Sequence, residues 1–480
     1  MTDPAELTLV ELLPLLAERA LSARELLDAC LARVDRWEPD DEAFWASSGR
    51  RIARRNLSFS VFAEFLGFSV WLLWSVVATR LNDAGFDLSS SQLFTLVAVP
   101  ALVGATLRFP YTFAVPRFGG RNWTVVSALL LLVPTVLLAV LVGNPATPYW
   151  ALLAGAATAG LGGGNFASSM ANISFFFPEQ EKGWALGLNA AGGNLGVAVL
   201  QLVVPVVVAI GAGLHLARAG LVWTPLILAA AACAWRYMDN LTTARSSLGD
   251  QLAVARRRHT WIVAWLYVGT FGSFIGFSAG LPLLISQEFA DPNAVSYAFL
   301  GPLVGSLARP LGGRLADRFG GARVTMTSFV VMAGAVLGVV SVLAARDDRY
   351  AFAGFLGLFL VLFMASGVGN GSTFRMVPVI FRAHHLAEAH CEGEAAHHQA
   401  LVTSRRETAA VLGLTSAVGA YGGFLVPQAF ALSAGATGGL HAALVAFVAF
   451  YASCMALVWW CYLRRSFALR RAPNLAWARP

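Results

Sequence analysis

Charge is scarce in this sequence. Of its 480 residues only 13% are Asp, Glu, Lys or Arg, whereas about a quarter of the residues in a soluble domain are charged. Hydrophobic residues make up 57% of the chain. This composition excludes an ordinary soluble globular protein and predicts a chain embedded in the lipid bilayer.

Lysine and cysteine are also rare. The single lysine is Lys182, and the five cysteines have no CxxC spacing. A P-loop needs Gly-Lys-Ser/Thr, so an ATP site of that kind is excluded. Neither a Ser/His/Asp arrangement nor paired carboxylates occur in the apolar segments, so we expect no enzyme activity and no cofactor. The histidine-rich tract at 384–398 lacks fixed ligand spacing; we predict a solvated linker there and no metal site.

Apolar runs of about 20 residues, long enough to cross a bilayer as helices, recur along the chain. They predict an all-α integral membrane protein with twelve spans, numbered here in chain order. The approximate ranges are 59–80, 92–115, 124–143, 149–177, 184–210, 219–237, 261–285, 294–315, 324–344, 351–380, 408–432 and 439–462.

Arginines are concentrated in every second loop. The opposite set of loops holds only Arg80, Arg218, Arg346 and Arg349. The positive-inside rule therefore predicts a multi-pass protein of the cytoplasmic (inner) membrane with both termini in the cytoplasm. Since the net charge of +7 follows this topology and forms no single basic patch, we expect no nucleic-acid partner.

The two halves of the chain echo each other. Gly104 and Arg108 recur 201 positions later (309 − 108) as Gly305 and Arg309, and GLGGGNF at 160–166 is echoed by GVGNGSTF at 367–374. The repeat predicts two six-helix halves around a central pathway. The predicted boundaries are an amphipathic helical N-terminal segment at 1–50, halves at 51–240 and 261–465, a cytoplasmic linker at 241–260, and a tail at 466–480.

Two arginines lie inside predicted spans, at equivalent places in the two halves. A cation at membrane depth costs about 2.5–3.5 kcal/mol on insertion scales, so Arg108 in span 2 and Arg309 in span 8 need partners or a watery cavity. The only plain acid in the spans is Glu64. A bound anion would relieve the repulsion between the arginines, and the planar guanidinium fork suits a flat oxyanion. Structural bonding of the arginines to backbone carbonyls is the alternative.

Glycines and asparagines alternate in spans 4 and 10. Small residues at this spacing let helices pack backbone to backbone, while the asparagine amides are expensive in lipid and suit the lining of a pathway. The residues are Gly162, Gly163, Gly164 and Asn165 in span 4, and Gly369, Asn370 and Gly371 in span 10.

These motifs resemble those of the nitrate/nitrite porter family of the major facilitator superfamily, over about residues 38–465. GLGGGNFASSMANISFFFP at 160–178 and GVGNGSTFRMVPVIF at 367–381 resemble the two signatures of that family. A superfamily loop motif is present in GGRLADRFGG at 312–321, whereas its first-half counterpart at 116–121 is degenerate and lacks the aspartate. The resemblance implies the major facilitator superfamily fold, with 12 transmembrane helices in two pseudo-symmetric six-helix halves.

The resemblance also implies a function and a site. It implies a monomeric carrier of nitrate and nitrite that works by alternating access, with two arginines clamping the anion between aromatic rings. The matching residues are Arg108, Arg309, Phe68, Phe166, Tyr267 and Phe271, with Asn194 expected nearby.

The sequence leaves two alternatives for how nitrate transport is driven. Glu64 lies one helical turn before Phe68. If Glu64 does not neutralise the arginines, the repulsion between them favours obligatory exchange of nitrate for nitrite. If Glu64 does neutralise them, proton-coupled nitrate symport becomes possible. Glu64 at the membrane end, bonded to backbone or to Arg54 or Arg55, is the structural alternative. A carrier of another small anion and a non-transporting anion sensor are the rival functions.

Overall fold

A computed structural model shows the protein as a bundle of helices. The structure describes residues 41–211, 213–241, 254–289, 293–345, 348–388 and 394–464, with six isolated positions (14, 15, 22, 24, 25 and 39) before them. No strand occurs in these ranges. The predicted tail at 466–480 and nearly all of the predicted amphipathic helices before residue 41 lie outside them.

Ten helices in the described ranges are long and apolar enough to cross a membrane. They correspond to predicted spans 1–3, 5–7 and 9–12, and we keep those numbers. In chain order they are Glu42–Arg80, Ser90–Thr112, Gly120–Leu141, Gln180–Ala209, Arg218–Tyr237, Arg258–Glu288, Gly321–Ala344, Ala351–Leu386, Ala410–Thr437 and His441–Leu463.

Spans 4 and 8 fall outside that set for reasons that the sequence explains. Span 4 is divided at Ala159 into Tyr149–Thr158 and Gly160–Phe176. Span 8 is the 20-residue helix Leu300–Phe319, and its charged residues lower its mean apolarity. With these two, a helix lies at each of the twelve predicted positions.

Span 1 begins earlier than the sequence suggests. Its helix starts at Glu42, where the side chain of Asp41 caps the first turn by accepting hydrogen bonds from the backbone N–H groups of Ala43 and Phe44. Residues 42–50, which we assigned to the N-terminal segment, therefore continue directly into the membrane helix.

The helices pack in equivalent pairs in the two parts of the chain. Span 2 packs on span 4 as span 8 packs on span 10, and span 1 packs on span 5 as span 7 packs on span 11. Contacts between the parts are also paired, since span 2 packs against span 11 and span 5 against span 8. This arrangement places Arg108 and Arg309 on related helices on either side of one interface.

Large apolar side chains cover much of the outside of the bundle. Val140 in span 3, Val206 in span 5 and Leu432 in span 11 are among those more than half exposed. In water such a surface would drive aggregation, whereas in a bilayer it faces lipid tails. Span 7 is the opposite case, because every residue in its apolar window is buried inside the protein.

Glycines set how closely the helices approach. A Cβ placed on Gly162 would lie 2.2 Å from the carbonyl oxygen of Gly67 in span 1, and a Cβ on Gly371 would lie 2.2 Å from the carbonyl oxygen of Arg309. Both distances are far below van der Waals contact. The glycines of spans 4 and 10 are therefore needed for backbone-to-backbone packing, as the sequence predicts.

We expect Gly162→Ala to destabilise the protein by about 1–3 kcal/mol, because the added methyl meets rigid backbone. Gly357→Ala is the matched control, since nothing lies within 4 Å of a Cβ at Gly357 and alanine is the better helix former by about 1 kcal/mol. Thermal unfolding of the two purified variants in detergent checks this. Equal melting temperatures for both would contradict the packing role of Gly162.

Candidate anion-binding site

Arg108 is fully buried and is held by backbone carbonyls from two helices. Its Nε donates to the carbonyl oxygen of Gly163 in span 4 at 3.1 Å. Its Nη1 donates to the carbonyl oxygen of Ser416 in span 11 at 2.8 Å. Its Nη2 has no hydrogen-bond partner among the described residues. One terminal nitrogen of a buried cation is thus left for a further acceptor.

Arg309 is also buried, with 6% of its surface exposed, but it is held by fewer contacts. Its Nη2 donates to the hydroxyl of Tyr267 at 3.3 Å, and its guanidinium carbon lies 5.7 Å from the centre of the Phe374 ring. Its Nη1 has no partner among the described residues. Neither Arg309 nor Arg108 forms an ion pair within the described ranges, although their charges are close enough to repel each other.

These contacts define what the two arginines offer to an anion. Each presents one unpartnered terminal nitrogen, and the two nitrogens come from spans 2 and 8. The paired donors predicted for each arginine are not free in this conformation, because Arg108 bonds two backbone carbonyls and Arg309 bonds Tyr267. A buried donor without an acceptor costs about 1–3 kcal/mol, more when charged, so an anion bridging both nitrogens would stabilise the site.

The predicted aromatic residues lie together as a continuous series of buried rings. Phe68 and Phe166 are 5.9 Å apart between ring centres, Phe166 and Phe271 are stacked at 6.3 Å, and Phe271 and Tyr267 are stacked at 5.3 Å. The structure thus brings the four rings together, with Phe166 and Phe271 over the guanidinium of Arg108 and the hydroxyl of Tyr267 bonded to Arg309. Their faces give the site flat walls of low polarity.

Glu64 is completely buried, and its polar contacts are with span 4 rather than with Arg54 or Arg55. Its Oε2 accepts a hydrogen bond from Asn165 Nδ2 at 3.4 Å, and Ser169 is a second polar neighbour. Its Oε1 has no partner among the described residues. Arg55, one of the partners considered from sequence, pairs instead with Asp239, with 2.5 Å between Nη2 and Oδ2.

Asn194 is buried in span 5 beside the same region. A Cβ on the preceding residue, Gly193, would lie 3.0 Å from Cγ of Glu64 and 3.1 Å from the Phe68 ring. The Oδ1 atom of Asn194 has no partner within the described ranges. Gly193 thus brings span 5 against Glu64 and Phe68, while the position of Asn194 beside an anion stays a prediction.

The signature residues divide into packing and polar roles. Gly164 faces Leu107 and Tyr111 of span 2, and Gly369 faces Thr270 of span 7, with less than 3 Å to the nearest atom from an added Cβ in each case. Asn370 is buried with an unpartnered Oδ1 atom among the described residues. Asn165 donates one N–H of its amide to Glu64, as described above.

The histidine tract is only partly the solvated linker that we predicted. His385 ends span 10 as a buried side chain, and its Nε2 is 2.9 Å from Oε2 of Glu407. Arg257 donates to the other oxygen at 3.0 Å. Burial would raise the pKa of the Glu407 carboxyl, but these hydrogen bonds outweigh it and hold the pKa below its usual value.

Three residues at the site escaped the sequence analysis. The ring of Trp71 lies 5.3 Å from the guanidinium carbon of Arg108, and Phe374 and the carbonyl of Ser416 contact the two arginines. Trp71 lies three positions after Phe68, which is the spacing of one helix face and was a usable signal. A backbone carbonyl from a distant helix leaves no signal in a sequence.

Comparison with known proteins gives the family. The profile of the Major Facilitator Superfamily matches residues 57–391. The chain is 44% identical over 451 residues to the nitrate/nitrite transporter NarU of Escherichia coli (strain K12), covering 90% of this chain and 96% of that protein. It is 37% identical over 453 residues to the probable nitrate/nitrite antiporter NarK2 of Thermus thermophilus, covering 89% and 96%.

A more distant relative is the nitrite extrusion protein of Bacillus subtilis (strain 168), 27% identical over 417 residues and covering 85% of this chain and 94% of that protein. These matches run through nearly the whole region that the motifs cover. They confirm the fold class and the family predicted from sequence. The chain therefore belongs to the major facilitator superfamily and, within it, to the family of nitrate/nitrite transporters.

Proposed function

We propose that this protein carries nitrate and nitrite across the cytoplasmic membrane by alternating access. One observation carries the proposal: two buried arginines from opposite sides of the interface each have a terminal nitrogen without a partner among the described residues. An anion of small size would satisfy both nitrogens and reduce the repulsion between the cations. The names of the relatives supply nitrate and nitrite as the anions to test.

The rings around the arginines support a flat substrate. Phe166 and Phe271 present apolar walls 4.6 and 5.4 Å from the guanidinium carbon of Arg108, and Phe68 packs against Phe166. A planar or bent anion such as nitrate or nitrite fits between such walls with its oxygens directed to the guanidinium groups. A tetrahedral anion has oxygens that point above and below any plane between the rings. Those oxygens would need donors where the rings lie. Another small anion therefore remains a weaker candidate, and nothing in the described site calls for an enzyme or a sensor.

We infer the orientation of the protein in the membrane from the distribution of its arginines. Arginines cluster in the loops at the end of the bundle where span 1 begins, so we place that end and both termini in the cytoplasm. We propose a single chain as the working unit, because both arginines of the site come from one chain.

We propose exchange of nitrate for nitrite as the basic reaction. When the site is empty, two cations face each other in a low-dielectric interior, where charges interact more strongly than in water. That state resists the movement between inward-facing and outward-facing forms. A bound anion reduces this repulsion in both directions of the movement. The entry of one anion is therefore coupled to the exit of another.

Exchange through the arginine pair is tested with Arg309→Lys. We expect the nitrate concentration for half-maximal counterflow into preloaded proteoliposomes to rise about tenfold, because an ammonium group lacks the planar arrangement that serves Tyr267 and the anion together. Arg349→Lys is the control, since Arg349 also lies over an aromatic ring, Tyr350 at 4.6 Å, but is exposed. Counterflow by Arg309→Lys equal to wild type would refute the clamp.

Proton-coupled nitrate symport is the second candidate, and a specific observation favours it. Glu64 is buried beside the site with one carboxyl oxygen unpartnered in the described ranges, and it interacts electrostatically with Arg108. Suppose that a proton binds Glu64 together with nitrate. The summed charge of Arg108, Arg309, Glu64 and the anion is then +1 both when loaded and when empty, so the empty carrier is no more highly charged than the loaded one.

Glu64→Gln separates the two reactions. If the carboxyl binds the transported proton, net nitrate uptake by the wild type rises as the outside is acidified, because protonation accompanies loading. We expect Glu64→Gln to lose this dependence on the pH gradient. Glu42→Gln, at an exposed acid in the first turn of the same helix, should keep it.

The measurement is net uptake of labelled nitrate into vesicles with and without an imposed pH gradient. Unchanged pH dependence in Glu64→Gln would exclude the proton role. Wild-type counterflow without any effect of the gradient would leave exchange as the whole reaction.

A further inference from the structure

Arg108 and Glu64 pose an electrostatic problem that the anion clamp does not explain. One is a buried cation with a free terminal nitrogen and the other is a buried acid with a free oxygen, among the described residues. Their charges attract each other, yet they form no ion pair. An ion pair between them would satisfy both groups and would take away the nitrogen that the anion needs. The carbonyls of Gly163 and Ser416 hold Nε and Nη1 of Arg108, and a further group must keep the guanidinium, with its free Nη2, away from Glu64.

Trp71 is placed to do this. It is fully buried in span 1, two helical turns after Glu64. Its indole ring lies 5.3 Å from the guanidinium carbon of Arg108. A cation over an aromatic face is attracted to it, most strongly for tryptophan and in the absence of water. The ring thus draws the guanidinium towards a level of the bundle two turns from the carboxyl.

The indole itself is fixed in place. Its Nε1 donates to the carbonyl oxygen of Pro100 in span 2 at 2.8 Å. It occupies the space left by two glycines, because a Cβ on Gly163 would lie 2.4 Å from the indole and a Cβ on Gly104 would lie 2.6 Å from it. Gly163 also supplies the carbonyl that binds Arg108 Nε. One signature glycine therefore admits the ring and orients the arginine.

We propose that Trp71 is a positioning residue for transport: it keeps Arg108 directed at the anion and out of reach of Glu64. The inference rests on the proposed function, since it concerns the same anion site. It gives a tryptophan outside the predicted site a definite role. It also explains why span 4 needs a glycine at position 163, next to the residues that line the site.

The first test compares Trp71→Phe and Trp71→Leu in nitrate counterflow. Leucine removes the aromatic face, so we expect the half-saturating nitrate concentration to rise on the order of tenfold with little change in maximal rate per folded protein. Phenylalanine keeps a ring but loses the bond to Pro100, so its effect should be smaller, about threefold. Should Trp71→Leu fail to fold, the roughly threefold rise expected for Trp71→Phe is compared with Trp74→Phe instead.

Trp74 offers a matched control on the same helix. It is equally buried, its indole nitrogen has no partner among the described residues, and it packs towards Gly155 rather than Arg108. Trp74→Phe and Trp74→Leu remove the same atoms from the interior, so they should lower protein stability without raising the half-saturating concentration. An equal rise for the Trp71 and Trp74 variants would reduce Trp71 to general packing and overturn the proposal.

The decisive measurement adds Glu64→Gln. If Trp71 acts by keeping Arg108 from the carboxylate, removing the carboxylate should reduce the effect of Trp71→Leu to less than about threefold, measured against Glu64→Gln alone. A tenfold effect that persists in the double variant would overturn the mechanism. Failure of the wild type to exchange nitrate would instead refute the proposed function, so the two failures are distinguishable.

Discussion

The repulsion between Arg108 and Arg309 is the constraint on which the site depends, because an apolar interior neither screens two like charges nor solvates them. The protein partly compensates each charge with neutral groups. Carbonyl oxygens and aromatic faces surround Arg108, and a phenol hydroxyl and one ring surround Arg309. Such groups stabilise a cation without cancelling its charge. The site would therefore keep its attraction for an anion, which a buried carboxylate in direct contact would cancel.

Close helix packing makes this compensation possible. Arg108 reaches the carbonyl of Gly163 because the glycines of span 4 let its backbone approach spans 1 and 2 closely, with the Trp71 indole packed against Gly163. In span 10, Gly371, which matches Gly164 in the repeat, lies against the carbonyl of Arg309 itself. The signature glycines are thus part of the electrostatics of the site, although none of them carries a polar side chain. Their two roles, packing and charge compensation, share one geometric cause.

Much of this arrangement was predictable from the sequence. The remainder could not be predicted, and each omission has a physical reason. Arg108 and Arg309 stood out because charges are rare in apolar runs, and the repeat fixed their equivalent depth. The clustering of Phe68 with Phe166 came from family resemblance. The carbonyl of Ser416 was invisible because every residue has one, and only the packing of distant helices selects it. The burial of His385 was missed because a polar loop composition hides its hydrogen-bonded contact with Glu407.

The bond from Arg108 to the carbonyl of Ser416 joins span 2 to span 11, which lie 308 residues apart at this contact. In the proposed alternating-access cycle, the two six-helix parts would rock against each other. A movement that separated span 2 from span 11 would break this bond and free Nη1 beside Nη2, which has no partner among the described residues, so that Arg108 would offer the anion a two-nitrogen fork in place of a single donor. The affinity of the site for the anion would then not be a fixed property of its residues. It would vary through the cycle with the separation of spans 2 and 11.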